Sequence, residues 1–251
     1  MQSLKSKALS VCAAAAVAVL SGPVSAELET AVALKNADVN NGKKIFFEGK
    51  GDVPACSSCH GQKGLGNDAM GTPRLAQQGF TYIVKQLEDF AADKRQDTTM
   101  FVMNANAKGL SDQDKRDVAA FLYHWEDAEP EPSNLEEVKE LGKTVGKPYL
   151  GMAIVKYGKP ERDVPACRAC HQYNGRGSFP VYPQLAQQRY VYLVNQLKKW
   201  RDGSRANDPL SQMQKVAQQM TDDDIYNVAS FLTGAPMSTE GNTYHLHQEI
   251  P

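Results

Sequence analysis

Apolar positions recur along this chain with a helical period, and no stretch alternates convincingly with the period of two that a strand requires. Tyr82, Ile83, Leu87 and Phe90 fall on one helical face with Gln86 among them. Tyr192, Leu193, Gln196, Leu197 and Trp200 repeat that face further along. Ahead of each lies a short apolar segment, Gly42–Phe47 and Gly151–Val155, stopped by Gly49 and Gly158. Behind each lies a last helix opened by Ser111 or Thr221, good N-caps with acid in the first turn, and Val118, Phe121 and Leu122 line one face of the first of these. The expected fold class is all-α.

These elements occur twice. Pro73-x-Leu75-Ala76-Gln77-Gln78 returns as Pro183-x-Leu185-Ala186-Gln187-Gln188, 110 residues on, and Tyr82-x-Val84-x-Gln86-Leu87 returns as Tyr192-x-Val194-x-Gln196-Leu197. Asp112, Asp114, Val118, Ala119, Phe121 and Leu122 reappear at the same offset. Two tandem homologous domains follow. Before them, Lys5 and Lys7 precede a 13-residue apolar run, Ala8–Leu20, and Val24-Ser25-Ala26 is a small-residue cleavage site. That run is shorter than the roughly 20 residues a bilayer span needs. A lipoprotein leader would need a longer run ahead of Cys12 and a small residue at Val11. The expected organisation is a signal peptide over 1–26 and a first domain over 27–125. An acidic, Pro-rich linker over 126–148, a second domain over 149–235 and a loosely ordered tail over 236–251 follow, with Ser133 as candidate cap of a short helix through Glu140.

The chemistry sits in a repeated pentapeptide, Cys56-Ser-Ser-Cys59-His60 and Cys167-Arg-Ala-Cys170-His171. C-x-x-C-H is the attachment signature of c-type haem: two thiols on one turn can each add to a vinyl group of one porphyrin, and the adjoining His lies under the iron. The flanks repeat too, Asp52-Val-Pro-Ala55 and Asp163-Val-Pro-Ala166. A structural zinc site made from both C-x-x-C pairs is the rival reading, but nothing in it requires a His after each pair. Two covalently bound haem c groups are therefore expected, each giving its small domain an apolar body to fold around. Covalent haem and an export signal together give a periplasmic address. Without Lys5 and Lys7 the chain has 26 basic and 29 acidic residues, a formal charge of −3, which excludes a general nucleic-acid binder. The motifs consume all four Cys of the mature chain, so neither a disulfide nor a catalytic thiol remains.

The sixth ligand of each iron separates a carrier from an enzyme. Under the 110-residue offset Met103 falls on Met213, and no other Met falls on a Met. Met103 and Met213 are the expected axial partners of His60 and His171. His124 falls on Gly234, and His245 and His247 lie in the tail. The carbonyls of Pro73 and Pro183 are the candidates to orient the proximal imidazoles. Tyr82, Gln86 and Arg74, with Tyr192, Gln196 and Gln184, are candidates for haem propionates or for a domain interface.

The paired CxxCH motifs, Pro-x-Leu-Ala-x-Gln, the Tyr-x-x-x-Gln-Leu helix and Leu110-Ser-Asp-Gln-Asp114 resemble the dihaem cytochrome c4 family over nearly the whole mature chain. The resemblance implies two class I cytochrome c domains facing across a pseudo-twofold axis, propionates approaching at the interface, and His/Met ligation through His60 with Met103 and His171 with Met213. It implies a periplasmic, monomeric electron carrier, not an enzyme, which takes electrons from a donor dehydrogenase and feeds a terminal oxidase of a respiratory chain, meeting membranes through partners. Two departures stand out. The linker is longer than the family's, and Ala-Gln-Gln replaces the family's Ala-Gly-Gln in both copies. Related dihaem proteins serve thiosulfate-oxidising enzymes. The alternative class is a redox enzyme or subunit, a dihaem peroxidase or a thiosulfate dehydrogenase partner. The charge contrast between Asp89, Asp93 and Asp97 in one domain and Lys198, Lys199, Arg201 and Arg205 in the other predicts different docking partners.

Overall fold

A computed structural model describes residues 30–237. The expected leader and the tail residues His245 and His247 lie outside the described residues. The first half runs through a helix over 30–35 (α1), α2 (Val39–Glu48), α3 (Ser57–His60), α4 (Phe80–Ala91), α5 (Met103–Lys108) and α6 (Asp112–Tyr123). The second runs through α7 (Leu135–Glu140), α8 (Pro148–Tyr157), α9 (Arg168–His171), α10 (Tyr190–Asp202), α11 (Gln212–Gln218) and α12 (Asp222–Thr233). Among the described residues β-structure is limited to isolated bridges, so the all-α reading holds.

In each half the first long helix crosses the last. α2 packs on α6 and α8 on α12, while α4 and α10 close the other side. The crossing is tight enough to demand glycine. A Cβ on Gly42 would lie 2.0 Å from the Asp117 carbonyl oxygen, and one on Gly151 would lie 1.9 Å from that of Asn227. Ile45, Phe46, Phe80, Val118, Phe121 and Leu122 fill the first core, and Ile154, Val155, Tyr190, Ile225, Val228 and Leu232 the second. The predicted caps form complete capping boxes, Ser111 with Asp114 and Thr221 with Asp224. Each of these acids also ties down the chain after the first helix. Lys50 reaches Asp114 at 2.7 Å, and Lys159 and Arg162 reach Asp224 at 2.9 and 2.8 Å.

The expected linker is partly core. Its charged beginning is exposed at Glu126 and Asp127, but Ala128 is buried and Val138 sits in the second core at 1 % exposure. Thr144 accepts from the Tyr190 hydroxyl and Lys147 N donates to Asn227, so the segment straps α10 and α12. α7 is capped by Asn134, not Ser133, because the Ser133 hydroxyl accepts from Tyr190 N instead. Periodicity in so short a segment could not reveal which domain it would bind.

The domains meet through matched residues. Gln78 donates to the Gln184 carbonyl and accepts from its N–H (2.9 Å each), and Gln188 does the same to Arg74 (3.0 and 2.6 Å). This reciprocity is the mark of a twofold contact. Arg74, at 2 % exposure, donates across the interface to Gln184 and Ala186. Gln184, its counterpart, therefore also serves the interface.

Candidate haem-binding site

The attachment turn is built by local geometry. In α3, Cys56 and Cys59 stand three apart and so share a face of the turn, and His60 N closes it on the Cys56 carbonyl at 3.0 Å. His171 N closes α9 on Cys167 at 2.9 Å. The four thiols form no disulfide, and burial pushes Cys56 and Cys167 up to about 11. Among the described residues no three His, Cys, Asp or Glu side chains converge on a metal site, which removes the four-cysteine zinc alternative.

Both proximal candidates are buried at 6 % exposure. His60 Nδ1 lies 3.1 Å from the Pro73 carbonyl and His171 Nδ1 lies 2.9 Å from that of Pro183. A carbonyl only accepts, so Nδ1 carries the proton and Nε2 keeps its lone pair, the form that binds iron. Burial holds both rings below the usual histidine range, which keeps them neutral. The glycine loop sets the distance. Gly66, at φ +75°, donates to the His60 carbonyl, and a Cβ there would come within 2.5 Å of the Pro73 carbonyl carbon. Gly177 (φ +87°) repeats the bond to His171.

In the first domain Cys59, His60, Pro73 and Met103 line one largely apolar cavity of about 910 Å³, together with Ile83, Leu87, Phe90 and Val118. An attachment cysteine, an imidazole with a free lone pair and a thioether around one apolar space fit a covalently held porphyrin. Met103 opens α5 and Met213 lies one residue into α11, each half-buried.

Sequence reasoning missed what holds the methionines. The Asp97 carboxylate accepts from the N–H groups of Thr99, Met100, Val102 and Met103 at 2.9 to 3.3 Å. Burial raises its acidity range, but those four donors outweigh burial and hold the carboxyl below normal. In the second domain Asp208 accepts from Met213 N at 2.6 Å and Gln214 N at 3.3 Å. Asp97 falls on Asn207 under the repeat offset, so the alignment that found the methionines hides this pair.

The expected charge contrast is absorbed internally. Asp89 is buried and takes bonds from Lys85 and Asn207, Arg205 is buried, and Lys198 and Arg201 pair with Asp222. Asp93 is paired with Lys108 at 2.6 Å. Tyr82, Gln86, Tyr192 and Gln196 line the cavity and also join the interface. Two partners of theirs, Arg95 and Arg205, were not singled out, although they stand 110 apart like the methionines. His124 is an exposed C-cap of α6.

Comparison with known proteins gives the class. The cytochrome c family model matches residues 39–125 and 163–235, and the chain belongs to that family. Cytochrome c domains imply covalently bound haem c. Its kinship within the family is with the two-domain cytochromes c4. Cytochrome c4 of Pseudomonas aeruginosa is 31% identical over 74% of this chain and 86% of its own. A thiosulfate dehydrogenase electron acceptor of Stutzerimonas stutzeri is 34% identical over 82% of this chain and 91% of its own. The crystal structure of reduced cytochrome c4 from Pseudomonas stutzeri matches with a TM-score of 0.62 at 28% identity, covering 79% of this chain and 98% of that one. Thiosulfate dehydrogenase (TsdBA) from Marichromatium purpuratum matches with a TM-score of 0.70 at 30% identity over 79% of this chain, which spans only 40% of that longer one.

Proposed function

We propose that this protein is a periplasmic dihaem electron carrier, accepting single electrons from a donor dehydrogenase and passing them to a terminal acceptor such as an oxidase. His60 with Met103 and His171 with Met213 would ligate the two irons, and Cys56, Cys59, Cys167 and Cys170 would hold the porphyrins. The observation that carries this reading is the repeated Pro–His contact, which leaves each imidazole with one lone pair to give, in a cavity that also holds a methionine in the first domain. Haem c supplies reversible one-electron chemistry. The chain's own part is to fix imidazole orientation through Pro73 and Pro183 and thioether position through Asp97 and Asp208. Its apolar walls at Ile83, Leu87, Phe90 and Val118 keep water away.

Kinship with thiosulfate dehydrogenase electron acceptors favours a sulfur-oxidising dehydrogenase as the donor. The mature chain has no cysteine beyond the attachment motifs, which speaks against sulfur chemistry on the chain itself. The absorption spectrum of the oxidised holoprotein tests the ligation: two Met-to-iron charge-transfer bands are expected, each lost in Met103→Ala or Met213→Ala. High-spin haem, or carbon monoxide bound by the freshly reduced protein, would favour an enzyme.

A further inference from the structure

Arg95 and Arg205 are buried at 7 % and 5 % exposure, where the domains meet. Gln86 Oε1 accepts from Arg95 Nη1 at 2.7 Å and from Arg205 Nη2 at 3.0 Å. Gln196 Oε1 accepts from Arg95 Nη2 at 2.9 Å and from Arg205 Nη1 at 2.8 Å. Four side chains thus close a ring across the pseudo-twofold axis. Tyr192 and Tyr82 add their hydroxyls at 3.0 and 3.2 Å. Each printed hydrogen-bond partner of the two guanidiniums is neutral, and among the described residues neither makes an ion pair. Asp97, the acid that acts on Arg95 from further off, has its oxygens taken by backbone N–H groups.

Two buried like charges on shared neutral acceptors are costly unless anions join them. Burial and the neighbouring Arg95 hold the Arg205 guanidinium below its usual range, a direct mark of that repulsion. Gln86, Arg95, Tyr192 and Gln196 also line the cavity that contains His60 and Met103.

We propose that Arg95 and Arg205 form one anion clamp shared by the two haem centres, taking the porphyrin carboxylates of both, so that each guanidinium sets the reduction potential of both irons. The proposal rests on the dihaem reading above. A positive charge beside the irons disfavours the oxidised state, so its removal lowers the potential. Both guanidiniums share the same two glutamine oxygens, and the effect therefore crosses the domain boundary.

Redox titration of the full holoprotein, with each haem resolved, tests this. In Arg95→Gln both potentials fall, and Arg95→Lys restores most of the loss. Gln196→Glu keeps the ring closed and places an anion between the guanidiniums, so it guards against a misfolded Arg95→Gln; it too lowers both potentials. A shift confined to one haem, or none, in these variants overturns the shared clamp while leaving the carrier intact. One haem per chain in the wild type, or the absence of Met-to-iron bands, overturns the dihaem reading and the clamp with it.

Discussion

Behind each candidate methionine ligand stands a carboxylate whose oxygens are saturated by backbone N–H groups. Bonds from an ionised acceptor are worth roughly 1.5–3 kcal/mol each. Asp97→Asn gives up the charge while keeping the shape, so the methionine should be displaced at lower pH. The alkaline midpoint at which the Met-to-iron band disappears should fall by about 1–2 pH units, at about 1.4 kcal/mol per unit. An unchanged midpoint would show that Asp97 does not hold the ligand. Gln187 carries a different lesson. It stands where the related family tends to have glycine, its φ is +56°, and its buried Oε1 has no partner. Gln187→Gly removes the left-handed penalty and the unpaired carbonyl together, offset in part by the freer unfolded chain, for a net gain of about 1 kcal/mol in urea unfolding.

At the scale of elements, the crossing of α2 on α6 leaves no room at Gly42. Gly42→Ala should cost about 3 kcal/mol or more in the denaturation midpoint, with Gly151→Ala matching it at the other crossing. Asp114 links the cap of α6 to Lys50. Burial works against its ionisation, but the bonds from Lys50, Ser111 and Asn41 prevail and bring it down to about 2. With a folded-state value below the unfolded one, its contribution is complete above about pH 4 and disappears as pH falls toward 2. Asp114→Asn should lower stability at neutral pH by roughly 1–2 kcal/mol, discounted because Lys50 is half exposed, and should flatten the acid limb of the melting curve. A parallel downward shift at every pH would refute the linkage. These elements were legible because their signals are local: helical period, Ser111 and Thr221 as caps, two adjoining pentapeptides. α7 was legible as a helix but not as part of the second core, since nothing within Leu135–Glu140 records that Val138 will meet α10 and α12.

On the scale of the whole molecule the sequence was least informative. The Gln78–Gln184 and Gln188–Arg74 contacts join residues more than 100 positions apart, and a glutamine that will cross an interface reads like any surface glutamine. The charge contrast misled for the same reason. Counting Asp89 and Arg205 as surface charges ignored that pairing the two domains would bury both. The interface should make the two domains melt together. Arg74→Ala empties a buried site and strands the Gln184 side chain, so calorimetry should resolve two transitions where the wild type gives one.

Two halves that grip each other through the same residues could each, once excised, look for a second copy of itself. The chain carries a discriminator at the equivalent positions 74 and 184. Self-pairing of the first half would press Arg74 against another Arg74, two cations with no water between them, whereas the second half would bring Gln184 to Gln184. Only the mixed pair sets a donor opposite an acceptor. The tandem order thus has a built-in preference over a dimer of first halves, and the ancestral gene fusion was of use partly because it allowed these two positions to diverge.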